Sequence, residues 1–176
     1  MSCLAISPFV ESPRLRLRGP CERHLPHLAE LANDYDVVKM TGSMPYPYGL
    51  EDARTILDKA ASLDPRREAM FVIEHDGGPI GVLSFVAGPH GRTEIGYWLG
   101  RPYWGKGLAT EAVRAAMDWA GSDWGKRVVV ACHNADNPAS GQVLINAGFL
   151  YTGDVEMKFS KARGDKVPVR WMVWLA

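Results

Sequence analysis

Residues 100–111 read Gly-Arg-Pro-Tyr-Trp-Gly-Lys-Gly-Leu-Ala-Thr-Glu, and this is where the chain looks built for chemistry. A strand candidate runs into a short loop with two closely spaced glycines, Gly105 and Gly107, and the loop opens directly into a helical pattern. The first N–H groups of a helix have no partner within it, and the helix dipole makes that end partly positive. Glycine lets a phosphate approach the backbone closely and lets the chain curl into a nest of N–H groups. The stretch Gly105, Lys106, Gly107, Leu108, Ala109 and Thr110 is therefore a candidate cradle for a phosphate or pyrophosphate, and Lys106 and Arg101 can add positive charge. Gly100 to Lys106 also fits G-x-x-x-x-G-K, the start of a nucleotide P-loop. Position 107 is Gly, where magnesium binding needs Ser or Thr, and no apolar strand ending in Asp follows. The pattern argues against a magnesium nucleotide enzyme.

The cradle needs a scaffold. A chain of 176 residues fits one domain, taken as 1–176. Apolar residues make up 47% and charged residues 23%, an ordinary globular balance. Lys plus Arg number 20 and Asp plus Glu number 20, so the net charge is zero. That argues against a nucleic-acid or membrane-surface partner, though a local basic pocket remains compatible. No run approaches the roughly 18 apolar residues of a membrane span. Met1 to Val10 has neither the basic flank nor the apolar core of a signal peptide. Cys3, Cys21 and Cys132 are odd in number and widely spaced, which points to a reducing, cytoplasmic location.

Strand and helix periods alternate along the chain. Arg14 to Arg18 reads as a strand. His24 to Asn33 and Glu51 to Leu63 read as amphipathic helices, separated by a Pro/Tyr/Gly-rich loop from Thr41 to Gly49. Met70 to Glu74, Ile80 to Val86 and Thr93 to Leu99 read as three strands of an antiparallel meander, with a tight turn at Asp76-Gly77-Gly78. Ala109, Ala112, Val113, Ala116, Met117 and Ala120 form an unbroken helical stripe. Arg127 to Cys132 is a buried strand candidate. Asn137-Pro138 is an N-cap with Pro at the first helical position, and Gly148 closes that helix. Strands return from Phe149 and end with Val169 to Leu175. Such a chain makes an α/β fold, a mixed sheet with helices on its faces.

Two further features have plain readings. Cys21, His24 and His27 have a ligand-like spacing, but Pro26 interrupts it and no fourth ligand is near, so no metal is expected. Cys132 reads as a small buried side chain. The six tryptophans include Trp119, Trp171 and Trp174; core packing or a homodimer face accounts for them.

Trp104-Gly105-Lys106-Gly107-Leu108-Ala109 resembles the GNAT superfamily, in the branch that includes ribosomal-protein N-terminal acetyltransferases. That family carries Q/R-x-x-G-x-G/A at the start of its third main helix. Gly107 and Ala109 match, and Trp104 stands where Gln or Arg is usual. The likeness extends to Glu11–Arg18, to Glu94-Ile95-Gly96-Tyr97-Trp98, and to Asn134–Ser140 followed by Asn146-Ala147-Gly148-Phe149. It implies a single-domain GNAT-like α/β fold, a mixed and mostly antiparallel sheet of about six to seven strands flanked by about four helices.

The resemblance further implies an N-acetyltransferase that uses acetyl-CoA as co-substrate and acts on a small-molecule amine or a protein N-terminus through a tetrahedral intermediate. Residues 104–110 would hold the diphosphate. The backbone of Trp98 and Leu99 would bond the pantetheine arm, with Asn137 and Ser140 near the thiol. Glu94 is then the candidate general base, and strand alternation puts it on one face with Gly96 and Trp98. Ser140 is the candidate proton donor to the thiolate. Relatives often use a Tyr on that helix; here it carries Val143, Leu144 and Ile145 instead, and Tyr97 and Tyr151 are assigned to packing. Tyr46 and Tyr48 are the substrate-side candidates, because the loop between the first helices borders the acceptor. The competing reading is a catalytically silent acyl-CoA-binding regulatory domain.

Overall fold

A computed structural model describes residues 8–176; Cys3 and the N-terminal part of the stretch tested for a signal peptide lie outside them. The strands among the described residues are β1 (Val10–Glu11), β2 (Leu15–Arg18), β3 (Ala69–His75), β4 (Gly78–Ala87), β5 (Thr93–Leu99), β6 (Val128–Asn134), β7 (Leu150–Ser160) and β8 (Asp165–Leu175). The α-helices are α1 (Leu25–Ala32), α2 (Tyr35–Val38), α3 (Leu50–Ser62), α4 (Leu108–Ser122) and α5 (Pro138–Asn146). They form one eight-stranded sheet in the order β1-β2-β3-β4-β5-β6-β8-β7. Every pair is antiparallel except β5–β6. The two-residue β1 is the strand beyond the expected count, and the single-turn α2 the extra helix.

The core lies in two layers. On one face α4 lays Leu108, Ala112, Val113, Ala116, Met117 and Ala120 against Phe71, Phe85, Ile95 and Val129, with Leu144 of α5 alongside. On the other face α1 and α3 pack through Leu25, Leu28, Ala53 and Ile56, with Trp98 partly buried against them. β3 is buried along nearly its whole length because helices cover both of its faces, which explains its continuous apolar run. Burying a side chain such as Phe71 or Phe85 contributes about 2–3 kcal/mol. β7 is exposed along most of its length.

One pairing positions the functional site. β5 and β6 are seven residues each, yet they pair only at Thr93↔Val129 and Glu94↔Val130. From Ile95 onward the two parallel strands diverge, leaving a wedge in the middle of the sheet.

Candidate active site

The cradle forms as its residue types dictate. Gly105 and Gly107 have φ of 71° and 74°, a left-handed conformation that other residues adopt only with strain. Gly107 is the N-cap of α4, and its carbonyl accepts from the Glu111 amide at 3.1 Å. The amides of Leu108, Ala109 and Thr110, in the first turn, have no acceptor within the helix. Arg14, read from the sequence only as part of a strand, joins this turn. Its Nε donates to Glu111 Oε2 at 2.6 Å and its Nη1 to the Lys106 carbonyl at 2.9 Å. A Cβ at Gly107 would lie 3.5 Å from Arg14 Nη2. Glu111 is therefore the anchor that aims a guanidinium at the cradle. Burial alone would raise its carboxyl, but bonds from Ser12 and Arg14 hold it below the usual range. Arg101 does not supply the charge expected of it, because Asp34 and Asp36 hold its guanidinium. Lys106 extends over the Tyr103 ring at 6.0 Å. Trp104 turns its indole back, donating to the Leu99 carbonyl at 2.8 Å.

The wedge follows. Gly100 N–H donates to the Ile80 carbonyl at 2.8 Å, and β4–β5 pair without a register shift. Backbone direction alternates along a strand, so Trp98 also points its groups at β4. The packing agrees, for a Cβ at Gly81 would sit 2.0 Å from the Trp98 carbonyl oxygen. Tyr97 therefore points its N–H and C=O groups to the wedge side, as Leu99 does its N–H, while the Leu99 carbonyl is taken by the Trp104 indole. The backbone groups of Trp98, expected to face a ligand, are thus turned to β4, and those on the wedge side belong to Tyr97 and Leu99.

The two faces of the wedge carry different chemistry. Ser140 lies in the first turn of α5, fixed by the Asn137 cap, whose Oδ1 accepts from the Ser140 amide at 3.4 Å. The Tyr97 hydroxyl reaches it, 2.9 Å from Ser140 Oγ and 3.2 Å from its carbonyl. Burial pushes the Tyr97 phenol up to about 12, against a small opposing effect of the Ser140 bond. Tyr151 is likewise polar in role, bonded to His133 Nε2 at 2.9 Å. On the opposite face lie Glu94, Gly96 and Trp98. The Glu94 side chain is 18% exposed, with Cys132 Sγ and Lys158 Nζ each 3.6 Å from Oε1. Cys132 is thus a neighbour of the candidate base rather than inert filling. A Cβ at Gly96 would meet nothing within 4 Å, so that face is open between Glu94 and Trp98.

The two tyrosines of the 41–49 loop part company. Tyr48 is buried in the α1–α3 layer and its amide donates to Asn33 Oδ1 at 3.0 Å, which removes it from any acceptor surface. Tyr46 is exposed, packed edge-on to Tyr35 at 5.4 Å in a groove shared with Asp34 and Arg101. Of Cys21, His24 and His27, the first two stay together, with Cys21 Sγ 3.5 Å from His24 Nδ1, while His24 Nε2 turns inward to Glu74 and His27 lies beside Glu30.

Known proteins resemble this chain in sequence and in fold. The acetyltransferase (GNAT) domain family matches residues 14–150. The ribosomal-protein-serine acetyltransferase of Escherichia coli (strain K12) is 32% identical over 149 residues, covering 81% of this chain and 82% of that protein. The spermidine N(1)-acetyltransferase of the same organism is 28% identical over 155 residues, covering 86% and 80%. The structure of RimL, a ribosomal L7/L12 alpha-N-protein acetyltransferase, in complex with coenzyme A superposes with a TM-score of 0.82 at 25% identity, covering 96% of this chain and 98% of that one. The chain belongs to the GNAT acetyltransferase family and is an acetyl-CoA-dependent N-acetyltransferase. No helix among the described residues is long and apolar enough to cross a membrane.

Proposed function

We propose that the enzyme transfers the acetyl group of acetyl-CoA to a primary amine, at a protein N-terminus or on a small molecule, by direct attack through a tetrahedral intermediate. The observation that carries this reading is the wedge between β5 and β6, flanked on one face by the Glu94 carboxylate and on the other by the Ser140 hydroxyl. Acetyl-CoA supplies the activated acetyl group and departs as the thiol. The unpaired amides of residues 105–110, with the Arg14 guanidinium beside them, hold the diphosphate. Tyr97 extends its backbone groups and Leu99 its N–H to the pantetheine arm, and an N–H of this edge faces the developing oxyanion. Glu94 takes the proton of the incoming amine through a water, since an alkylammonium has no lone pair for attack. Ser140 returns a proton to the departing sulfur. Glu94 sits on strand β5 and Ser140 on helix α5, both packed elements, so their separation is set before either substrate arrives. The relatives named above are a ribosomal-protein-serine acetyltransferase, an alpha-N-protein acetyltransferase and a spermidine acetyltransferase, which supports an amine acceptor of either kind. A cytoplasmic location belongs to the same reading.

Glu94→Gln tests it. Thiol release should fall by about 100-fold or more, while coenzyme A affinity measured by calorimetry stays within about twofold. Equal turnover by Glu94→Gln would remove Glu94 from the mechanism. A wild type that binds acetyl-CoA yet releases no thiol across a broad panel of amines and peptides would make this a regulatory acyl-CoA-binding domain.

A further inference from the structure

On the open face of the wedge a side-chain ammonium already stands where the acceptor amine must arrive. Lys158 of β7 reaches over β8, placing Nζ 3.6 Å from Glu94 Oε1, 3.6 Å from Cys132 Sγ and 4.8 Å from the centre of the Trp171 ring. The Trp171 indole N–H donates to Glu156 Oε2 at 2.9 Å. Strands β5, β6, β7 and β8 thus assemble two carboxylates, an aromatic face and a thiol around one cation. A carboxylate beside an aromatic face is a chemically complete ammonium site. The charge count is informative. Burial, with the Glu94 carboxylate adding to it, pushes the Cys132 thiol up to about 11, so it stays neutral. Glu94 and Glu156 contribute two negative charges and Lys158 one positive, so a single further positive charge balances the cluster.

We propose that this cluster is the ammonium subsite of the acceptor and that Lys158, its resident occupant, sets acceptor specificity: amines with one positive charge are taken, and those with a second charge close by are disfavoured. The proposal rests on the acetyltransferase reading above. An arriving ammonium takes the place of Lys158 on Glu94 and the Trp171 ring. Lys158 then moves toward Glu156, two positions away on the same face of its own strand. A second cationic group has no carboxylate left to balance it and stands within about 6 Å of Lys158. At a dielectric between protein surface and water, that repulsion amounts to about a tenfold penalty in binding.

The test uses acceptors of closely matched size that differ by one charge: butylamine against 1,4-diaminobutane, and the tripeptide amides Ser-citrulline-Ala against Ser-Arg-Ala. Thiol release gives kcat and KM for wild type, Lys158→Met and Lys158→Arg, with coenzyme A affinity by calorimetry as the check on folding. Wild type should prefer the singly charged member of each pair. Lys158→Met should reduce that preference about tenfold through KM rather than kcat, and Lys158→Arg should retain it. An unchanged preference in Lys158→Met, with thiol still released, overturns the proposal and leaves the acetyltransferase reading intact. No thiol release from any acceptor by wild type overturns both.

Discussion

Tyr97 shows how much a single side chain can change an assignment. Its phenol, raised to about 12 by burial, lies 2.9 Å from Ser140 Oγ. That contact, with a second one to the Ser140 carbonyl at 3.2 Å, fits Tyr97 as a positioning residue that steers the Ser140 hydroxyl in the proposed reaction. Tyr97→Phe should lower kcat by less than about tenfold and leave the pH–rate profile unshifted, whereas a proton donor would cost about 100-fold or more. A lost basic limb in Tyr97→Phe would reverse that assignment. At this scale the sequence was readable where spacing is local. Glu94, Gly96 and Trp98 alternate within one strand, and Asn137 caps its own helix. Arg14 and Tyr97 were not readable in their roles. Arg14 meets Glu111 across 97 positions and Tyr97 meets Ser140 across 43, and no local pattern encodes such contacts. Tyr48 fails for the related reason that a loop tyrosine can turn either way, and here it turns into a helix layer.

Elements carry the next level of constraint. Gly107 is both the N-cap of α4 and the turn nearest Arg14, so its left-handed φ serves the helix and the cradle together. Gly107→Ala should cost about 1–2 kcal/mol of backbone strain, lowering Tm by about 2–8 °C. Its added methyl should also weaken coenzyme A binding, read by calorimetry; affinity equal to wild type would detach the cradle from this turn. Gly141 imposes a different limit. A Cβ there would lie 2.6 Å from the Tyr151 hydroxyl and 2.8 Å from His133 Nε2, so α5 can sit this close to β6 only with glycine at that point. Gly141→Ala should destabilise the protein by about 1–3 kcal/mol, measured by denaturant unfolding. Long periodic segments such as α4 were legible because their stripe spans several turns. The four residues of α2 are too few for any period to show, and β1 pairs for only two.

For the molecule as a whole, buried charge sets the response to acid. His24 is buried with Nε2 2.8 Å from Glu74 Oε1. Burial holds the imidazole below its ordinary 6.5, aided by Arg23 and Arg18 and opposed by Glu74. The unfolded chain therefore binds this proton first, so stability is fullest above about pH 6.5 and declines as pH falls through the lower folded value. Asp34, Asp36 and Asp136 extend the decline into the carboxylate range, held down chiefly by Arg101, Lys39 and Arg163 respectively. Denaturant unfolding at pH 7.5 and pH 5 should show the loss, and His24→Gln should flatten it by up to about 1.4 kcal/mol per pH unit. A wild-type curve flat across that interval would contradict the assignment. The wedge has a consequence of its own at this scale. With two rungs joining β5 to β6, the meander and the terminal hairpin share little direct bonding along their seam. In the proposed reaction a pantetheine arm lying there would splice the seam, the small molecule serving as a missing lath before it reacts. Amide exchange in β6 and β8, remote from the diphosphate, should slow when coenzyme A binds.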